Sequence, residues 1–196
     1  MAYNLIIIDD FYNNPEEVRE FALAQDFDVD GNYPGHRTKS FLTDSIKEYI
    51  GEHLEPLHGK ILWPEEGHEE YTGSFQFTTC EDRSWIHADG NTKWAGVIYL
   101  TPNAPVSGGT ALYKHIPTGL TSKPYLPSGE TNEELFSIIE DDGNDYTKWE
   151  MTDRVANIFN RLVLYRGDAF HASLDYFGKD INDGRLFQTF FFNTEN

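Results

Sequence analysis

The sequence predicts a mainly β fold, a β-sandwich or jelly roll backed by N-terminal helices. Three observations predict it. Fourteen Phe and eleven Tyr stand among the 196 residues, and such side chains favour strands. Helical patterns occupy the first third of the chain. After "WPEEG" the pattern turns to short aromatic or β-branched runs separated by turns, with one long interruption at 116–150. Helices first and strands afterwards describe a helical layer laid on packed sheets.

Taken in order, "YNLIIID" (3–9) reads as a buried strand. "NNPEEVREFALAQ" carries an Asn cap, Pro15 at the first helical position and Glu16 and Glu17 in the first turn, the signals of a helix start. Val18, Phe21, Ala22 and Gln25 form its packing side. "GNYPGHRTKSF" (31–41) reads as a loop. "TDSIKEYIGEHLEPL" (43–57) is a second helix, with Ile46, Tyr49, Ile50 and Leu54 on one face. "YTGSFQFTTC" (71–80), "WAGVIYLT" (94–101) and "GGTALYKH" (108–115) are strands. Within the interruption, "PTGLTSKPYLPSG" is a loop and "TNEELFSIIEDD" a helix capped by Thr or Asn. Strands return in "NRLVLYRGDAFHAS" (160–173) and "RLFQTFFFN" (185–193). No repeat divides the chain, and its length favours one domain.

The net charge of −18 repels phosphate backbones and anionic membranes, which argues against nucleic acid or membrane as a partner. The single cysteine, Cys80, rules out a disulfide within the chain. It lies beside "FQFTT" without an evident histidine and reads as a buried small hydrophobe rather than a nucleophile. "MAYNLIIIDDFY" lacks the basic start of a signal peptide. No apolar stretch approaches the roughly 20 residues of a membrane helix. A reducing, cytoplasmic setting is the expectation.

Chemistry concentrates in "SWIHADGNTKWAGVIYLT" (84–101). Positions i and i+2 of a strand point to the same side, roughly 6.5 Å apart at the backbone, so His87 and Asp89 can converge on one point. His171 lies past the Gly-Asp turn of "RGDAFHAS", at the start of a new strand. His36, His53, His58 and His68 fall in loops or on helix surfaces, and His115 ends a strand at the mouth of the interruption. A lone histidine at a strand end is most often a hydrogen-bonded structural residue. The neighbouring carboxylate strengthens the ligand reading, because an isolated buried carboxylate is costly. Two histidines and one carboxylate fit a non-haem Fe(II) oxygenase and equally a zinc hydrolase, so these three residues leave the chemistry open. Arg185 begins a strand whose two faces are both mostly apolar. It either sits at an exposed end, pairing with a carboxylate such as Asp183, or offers a carboxylate ligand its planar two-point contact.

Together "HADG…GVIYLTP…GGTALY…NRLVLYRGDAFHAS…RLFQTFFF" resembles the Fe(II)/2-oxoglutarate-dependent oxygenases, particularly the prolyl-hydroxylase-like branch, over about residues 71–193. The resemblance implies a double-stranded β-helix (the family's jelly roll) in which His87, Asp89 and His171 hold Fe(II). It implies that Arg185 binds the distal carboxylate of 2-oxoglutarate, with Tyr99 either adding a hydroxyl there or packing in the core. The "SGGTAL" stretch matches a structural Gly-Gly turn. The chain departs from the pattern in placing Arg185 14 residues after His171, farther than in many relatives, so "YFGKDINDG" would be a long hairpin turn. The strand before His87 also lacks the family's usual tyrosine pattern. Retention of Asp89 favours hydroxylation over halogenation.

The implied activity is hydroxylation of a C–H bond of a protein side chain, amino acid or small metabolite, using O2 and releasing succinate and CO2. Trp85, Asn91 and Trp94 flank the triad as candidates for the substrate mouth, and 116–150 as a lid. In this reading 1–196 is one domain, with a strand and supporting helices in 1–70 and the jelly-roll core in 71–193. Two other classes stay open: a cupin-like metal-binding jelly roll that does not use 2-oxoglutarate, and a non-catalytic interaction module.

Overall fold

The computed structural model describes residues 4–65, 71–90 and 92–195. His68 and Asn91, singled out above, lie outside the described residues. The fold is mainly β, consistent with a jelly roll: two antiparallel sheets with a few helices. The larger sheet runs β1 (Leu5–Ile8), β8 (Leu162–Arg166), β5 (Trp94–Tyr99), β10 (Arg185–Thr194), β4 (Ser74–Thr78), β2 (His36–Ser40), with β3 (Ile61–Leu62) paired to the far end of β10. The smaller sheet runs β7 (Trp149–Val155), β6 (Thr110–His115), β9 (His171–Ser173).

Alternation along the central strands of the larger sheet builds two separate cores. Trp94 and Ile98 of β5, Leu162 and Leu164 of β8, and Leu186, Phe190 and Phe192 of β10 face one way. They are covered by α1 (Pro15–Leu23) and α2 (Asp44–His58) through Ala22, Ile50 and Leu54. Ala95, Val97, Tyr99, Val163, Tyr165 and Phe187 face the other way and meet Leu112 and Val155 of the smaller sheet. The two helices start differently: Asn14 precedes α1 but makes no side-chain cap hydrogen bond, whereas α2 has its cap. Pro15 opens α1, and the Thr43 hydroxyl accepts from the Ile46 amide to cap α2.

A third apolar cluster lies on the outer side of the smaller sheet. Ile86, Ala111, Tyr113 and Phe170 are covered there by Phe136, Ile139 and Trp149. Phe136 and Ile139 belong to α3 (Glu133–Asp141), capped by the Asn132 side chain accepting from the Leu135 amide. The segment expected to be a lid is therefore packed, and not every helix is N-terminal. His115 ends β6 and is buried, hydrogen-bonded to Thr118 and Asp142 within this segment.

Several expectations need correction. Residues 36–40, read as loop, form β2 against β4; "HRTKS" has no apolar alternation, because Arg37 and Thr38 are buried polar side chains. β3 and β7 were not expected; in β7 only the end residues Trp149 and Val155 are buried, so its middle reads as polar. Cys80 is exposed rather than buried, because it follows β4 into a turn that Asp82 ties to the Thr79 amide. Phe21, assigned to the packing side of α1, is 47% exposed. No helix among the described residues is long and apolar enough to cross a membrane.

Candidate metal centre

The segment leading into β5 meets β9 of the smaller sheet through an isolated antiparallel bridge between His87 and His171. The His87 amide donates to the His171 carbonyl at 3.0 Å, and the reverse bond is 2.8 Å. This bridge brings the two imidazoles to 4.5 Å between ring centroids. Each ring is oriented from behind by the backbone two residues earlier: His87 Nδ1 lies 2.9 Å from the Trp85 carbonyl, and His171 Nδ1 2.9 Å from the Ala169 carbonyl. A carbonyl can only accept, so each Nδ1 carries a proton, and the neutral tautomer of each ring has its lone pair on Nε2. Burial also pulls His171 down to about 4, which keeps it neutral at ordinary pH.

Asp89 closes the triangle. Its Oδ1 lies 3.9 Å from His87 Nε2 and its Oδ2 3.5 Å from His171 Nε2, and one ligand atom from each residue lies within 4.8 Å of the others. Asp89 Oδ2 is buried and has no hydrogen-bond donor. Two imidazole Nε2 atoms and a carboxylate thus face one another, an arrangement that a cation would satisfy. Ligands at adjacent corners of an octahedral ion with bonds near 2.1 Å stand roughly 3 Å apart, so a modest contraction suffices.

The triad lies between two spaces. Outside is a cleft of about 540 Å3, lined by Tyr33, Tyr71, Trp85 and Glu140 among others, with His87 and Asp89 at its floor. Inside, between the sheets, is a pocket of about 90 Å3 that both histidines, Asp89, Thr110, Tyr165, Ser173 and Arg185 line.

Arg185 is 1% exposed. Its Nε donates to the Gly108 carbonyl at 3.0 Å, and its Nη1 is buried with no partner. The guanidinium lies over Phe187 and Tyr99, 4.3 and 5.3 Å from the ring centroids. Among the described residues no carboxylate pairs with it, so Asp183 is not its partner; Asp183 instead accepts from the Lys179 and Asp180 amides in the hairpin turn.

Tyr99 sits one step behind the pocket. Its hydroxyl is 2.8 Å from Thr110 Oγ1, and Thr110 rather than Tyr99 lines the pocket. Trp85 lines the cleft, its ring 5.3 Å from that of His87. Trp94 does not belong to the mouth: its side chain shares a face with Ile98 and packs in the helix-covered core.

Sequence reasoning missed Arg37, which lines both the cleft and the pocket, and Tyr165, whose ring lies tilted against His171 at 4.5 Å. Tyr165 was findable from its alternation with Val163. Arg37 carried no such signal.

The family model described as "Family of unknown function (DUF6445)" matches residues 2–192. No curated protein matches the sequence. Among solved structures the chain is similar to HygX from Streptomyces hygroscopicus with nickel, 2-oxoglutarate and hygromycin B bound, at a TM-score of 0.56 and 11% identity. It is also similar to HygX with nickel and 2-oxoglutarate bound, at 0.54 and 10%. Each likeness covers 98% of this chain and 83% of the other. At such identity the likeness is one of fold.

Proposed function

The chain belongs to the DUF6445 family of unknown function, and we propose that it is an Fe(II)- and 2-oxoglutarate-dependent dioxygenase that hydroxylates a C–H bond of a small molecule, an amino acid or a protein side chain. The observation that carries this reading is Arg185: a buried guanidinium with an unpartnered Nη1, lining the same small pocket as the three metal-ligand candidates. A metal protein without an acidic cosubstrate has no use for that cation, and burying it unpaired is expensive. The fold likeness to HygX, a protein seen with nickel and 2-oxoglutarate, supports the same reading.

His87, Asp89 and His171 would hold the metal where the pocket and the cleft meet. When bound, Fe(II) with 2-oxoglutarate and O2 supplies oxidation of a C–H bond with release of succinate and CO2. Trp85 and Ala169 fix the tautomers of the histidines through their carbonyls, so each ring would present Nε2 to the metal. Arg185 would take the distal carboxylate by its fork, aimed by the Gly108 carbonyl and by the aromatic rings beneath it. Thr110, held by the Tyr99 hydroxyl, can offer that carboxylate a further hydrogen bond. Burial raises the pKa of Tyr99 and of Tyr165, so both stay protonated and add no negative charge beside the cosubstrate. Substrate would enter by the cleft, where Trp85 is one wall and Glu140 is contributed by the 116–150 segment. A lid movement of that segment and a reducing, cytoplasmic setting belong to the same proposal.

Succinate formation from 2-oxoglutarate with Fe(II) and O2 is the direct test, paired with calorimetric titration of 2-oxoglutarate into Mn(II)-loaded protein under nitrogen. Protein that binds Mn(II) but neither binds 2-oxoglutarate nor forms succinate would be a cupin-like metal protein instead. Failure to bind any divalent metal would leave an interaction module.

A further inference from the structure

We propose that Arg37 is the receptor for a carboxylate on the prime substrate, so that the oxidised molecule is a small organic acid, free amino acids included. The inference rests on the oxygenase reading and assigns the substrate class of that same site.

Two arginines among the described residues are less than a tenth exposed, Arg37 at 6% and Arg185 at 1%. Arg161, Arg154 and Arg166 each have an aspartate partner: Asp9, Asp175 and Asp168. Arg37 has none among the described residues. Its Nε and Nη2 both donate to a neutral acceptor, Gln76 Oε1. The guanidinium lies in the corner formed by two aromatic rings set edge to face, 3.7 Å from the centroid of Tyr33 and 4.6 Å from that of Tyr71. Burial pulls it down only to about 10, so it stays charged at neutral pH.

The cation is also held rigidly. Gln76 Nε2 donates to the Pro34 carbonyl at 2.6 Å, which turns Oε1 toward Arg37. Arg37 pairs with Gln76 across the β2–β4 ladder. Gly35 makes the turn before it with φ +75°, and a Cβ there would meet the Phe77 carbonyl at 2.1 Å. A charged fork with fixed aim, a neutral anchor and aromatic walls is preorganised for an anion.

Its position then names the anion's owner. Arg37 lines the outer cleft with Tyr33, Tyr71 and Trp85, and it reaches the edge of the inner pocket beside Asp89. Arg185 already serves the deep end of that pocket, on the other sheet-facing strand β10. A second carboxylate would therefore belong to a molecule sitting in the cleft next to the metal. The charge of Asp89 favours the Arg37 cation, but the two form no ion pair, and the Asp89 oxygens face His87 and His171. Among the described residues the remaining cleft-lining carboxylate, Glu140, has an exposed side chain and does not pair with Arg37.

The experiment uses acetate as the minimal carboxylate and methyl acetate as its neutral analogue, with Mn(II)-loaded protein, saturating 2-oxoglutarate and no oxygen. Proton relaxation of each methyl group by Mn(II) reports binding close to the metal. Wild-type protein should relax acetate and not methyl acetate. Arg37→Met should abolish the acetate effect, and Arg37→Lys should recover part of it, since lysine keeps the charge without the fork. The loss should be at least about tenfold in acetate affinity. Separate titration should show 2-oxoglutarate affinity unchanged in Arg37→Met, which also shows that the variant is folded; if that variant is unstable, Arg37→Lys carries the comparison.

Equal relaxation of acetate by wild type and Arg37→Met, equal relaxation of the ester, or no relaxation by wild type would each overturn the proposal. Loss of 2-oxoglutarate affinity in Arg37→Met or Arg37→Lys would overturn it too, by moving Arg37 into the cosubstrate site. Failure of wild-type protein to bind 2-oxoglutarate sinks the oxygenase reading by itself. Acetate relaxation that still depends on Arg37 would then support an anion receptor at the metal.

Discussion

Replacing Arg185 with methionine keeps most of the side-chain volume and removes the charge, and two opposite effects should follow. In the free protein, the wild-type guanidinium is 1% exposed with Nη1 unpartnered. Exchanging such a charge for a packed apolar chain is often neutral or stabilising. The Gly108 carbonyl is not orphaned by the change, because the Asn157 side-chain amide also donates to it at 3.1 Å. Arg185→Met should therefore melt no lower than wild type in the absence of ligand.

In the presence of 2-oxoglutarate the order should reverse. Each charge-assisted hydrogen bond from the fork is worth roughly 1.5–3 kcal/mol, which is about a tenfold to hundredfold loss of affinity per bond. Wild-type protein at a cosubstrate concentration near 100 times its Kd gains about 2.7 kcal/mol of stability, and Arg185→Met should gain almost none at that concentration. Arg185→Lys should fall between them. Thermal melts of the Mn(II)-loaded proteins with and without 2-oxoglutarate, under nitrogen, read both effects from one set of samples. A variant that is clearly destabilised without ligand, yet stabilised as much as wild type with it, would show that Arg185 is structural and refute the assignment.

Four further outcomes are expected. Asp89→Ala or His171→Ala should weaken Mn(II) binding, measured by electron paramagnetic resonance titration, beyond the roughly 10–100-fold typical of outer-shell changes; retained affinity would dissolve the triad. Gly143→Ala should lower Mn(II) affinity in folded protein, because the new Cβ would stand 2.7 Å from the Ile86 carbonyl, next to His87; unchanged affinity and melting would count against it. Trp94→Ala should cost about 3–5 kcal/mol in denaturant unfolding and leave metal affinity of the folded fraction intact, as befits a residue of the helix-side core. Hydrogen exchange with Mn(II) and 2-oxoglutarate should increase protection around Glu140, the cleft residue of the 116–150 segment, and identical exchange in both states would remove the lid.

The sequence made the sheets and the triad legible for one reason: both are written in short-range patterns. Alternation marked β5, β8 and β10, helix-start signals marked α1, α2 and α3, and the His-x-Asp spacing marked one side of the candidate metal centre. The alternation also held the answer for Trp94, which is in phase with Ile98 and so faces the helices; proximity to His87 in sequence suggested the wrong face. What stayed hidden depends on contacts between distant segments. β2 reads as loop because its buried residues are Arg37 and Thr38, and a buried arginine is visible only once Gln76, Tyr33 and Tyr71 surround it. Cys80 reads as buried because it follows a core strand, whereas the turn beyond β4 carries it outward.

The packing of 116–150 has a consequence for how the metal site comes into being. Gly143 accepts from the Ile86 amide, immediately before His87, and Thr121 accepts from the Phe170 amide, immediately before His171. Lys123 donates through its backbone to Asp168 and through its side chain to the Gly90 carbonyl, one residue past Asp89. The segment between the two stretches that carry His87, Asp89 and His171 thus grips both of them, and local opening of either should disturb the other. Folding must bring these remote stretches together before any of the three candidate ligands has its neighbours, so loading of a metal there would be a late event that selects finished molecules. Shortening this segment as though it were a spare loop would then cost the proposed site before it cost the protein its sheets.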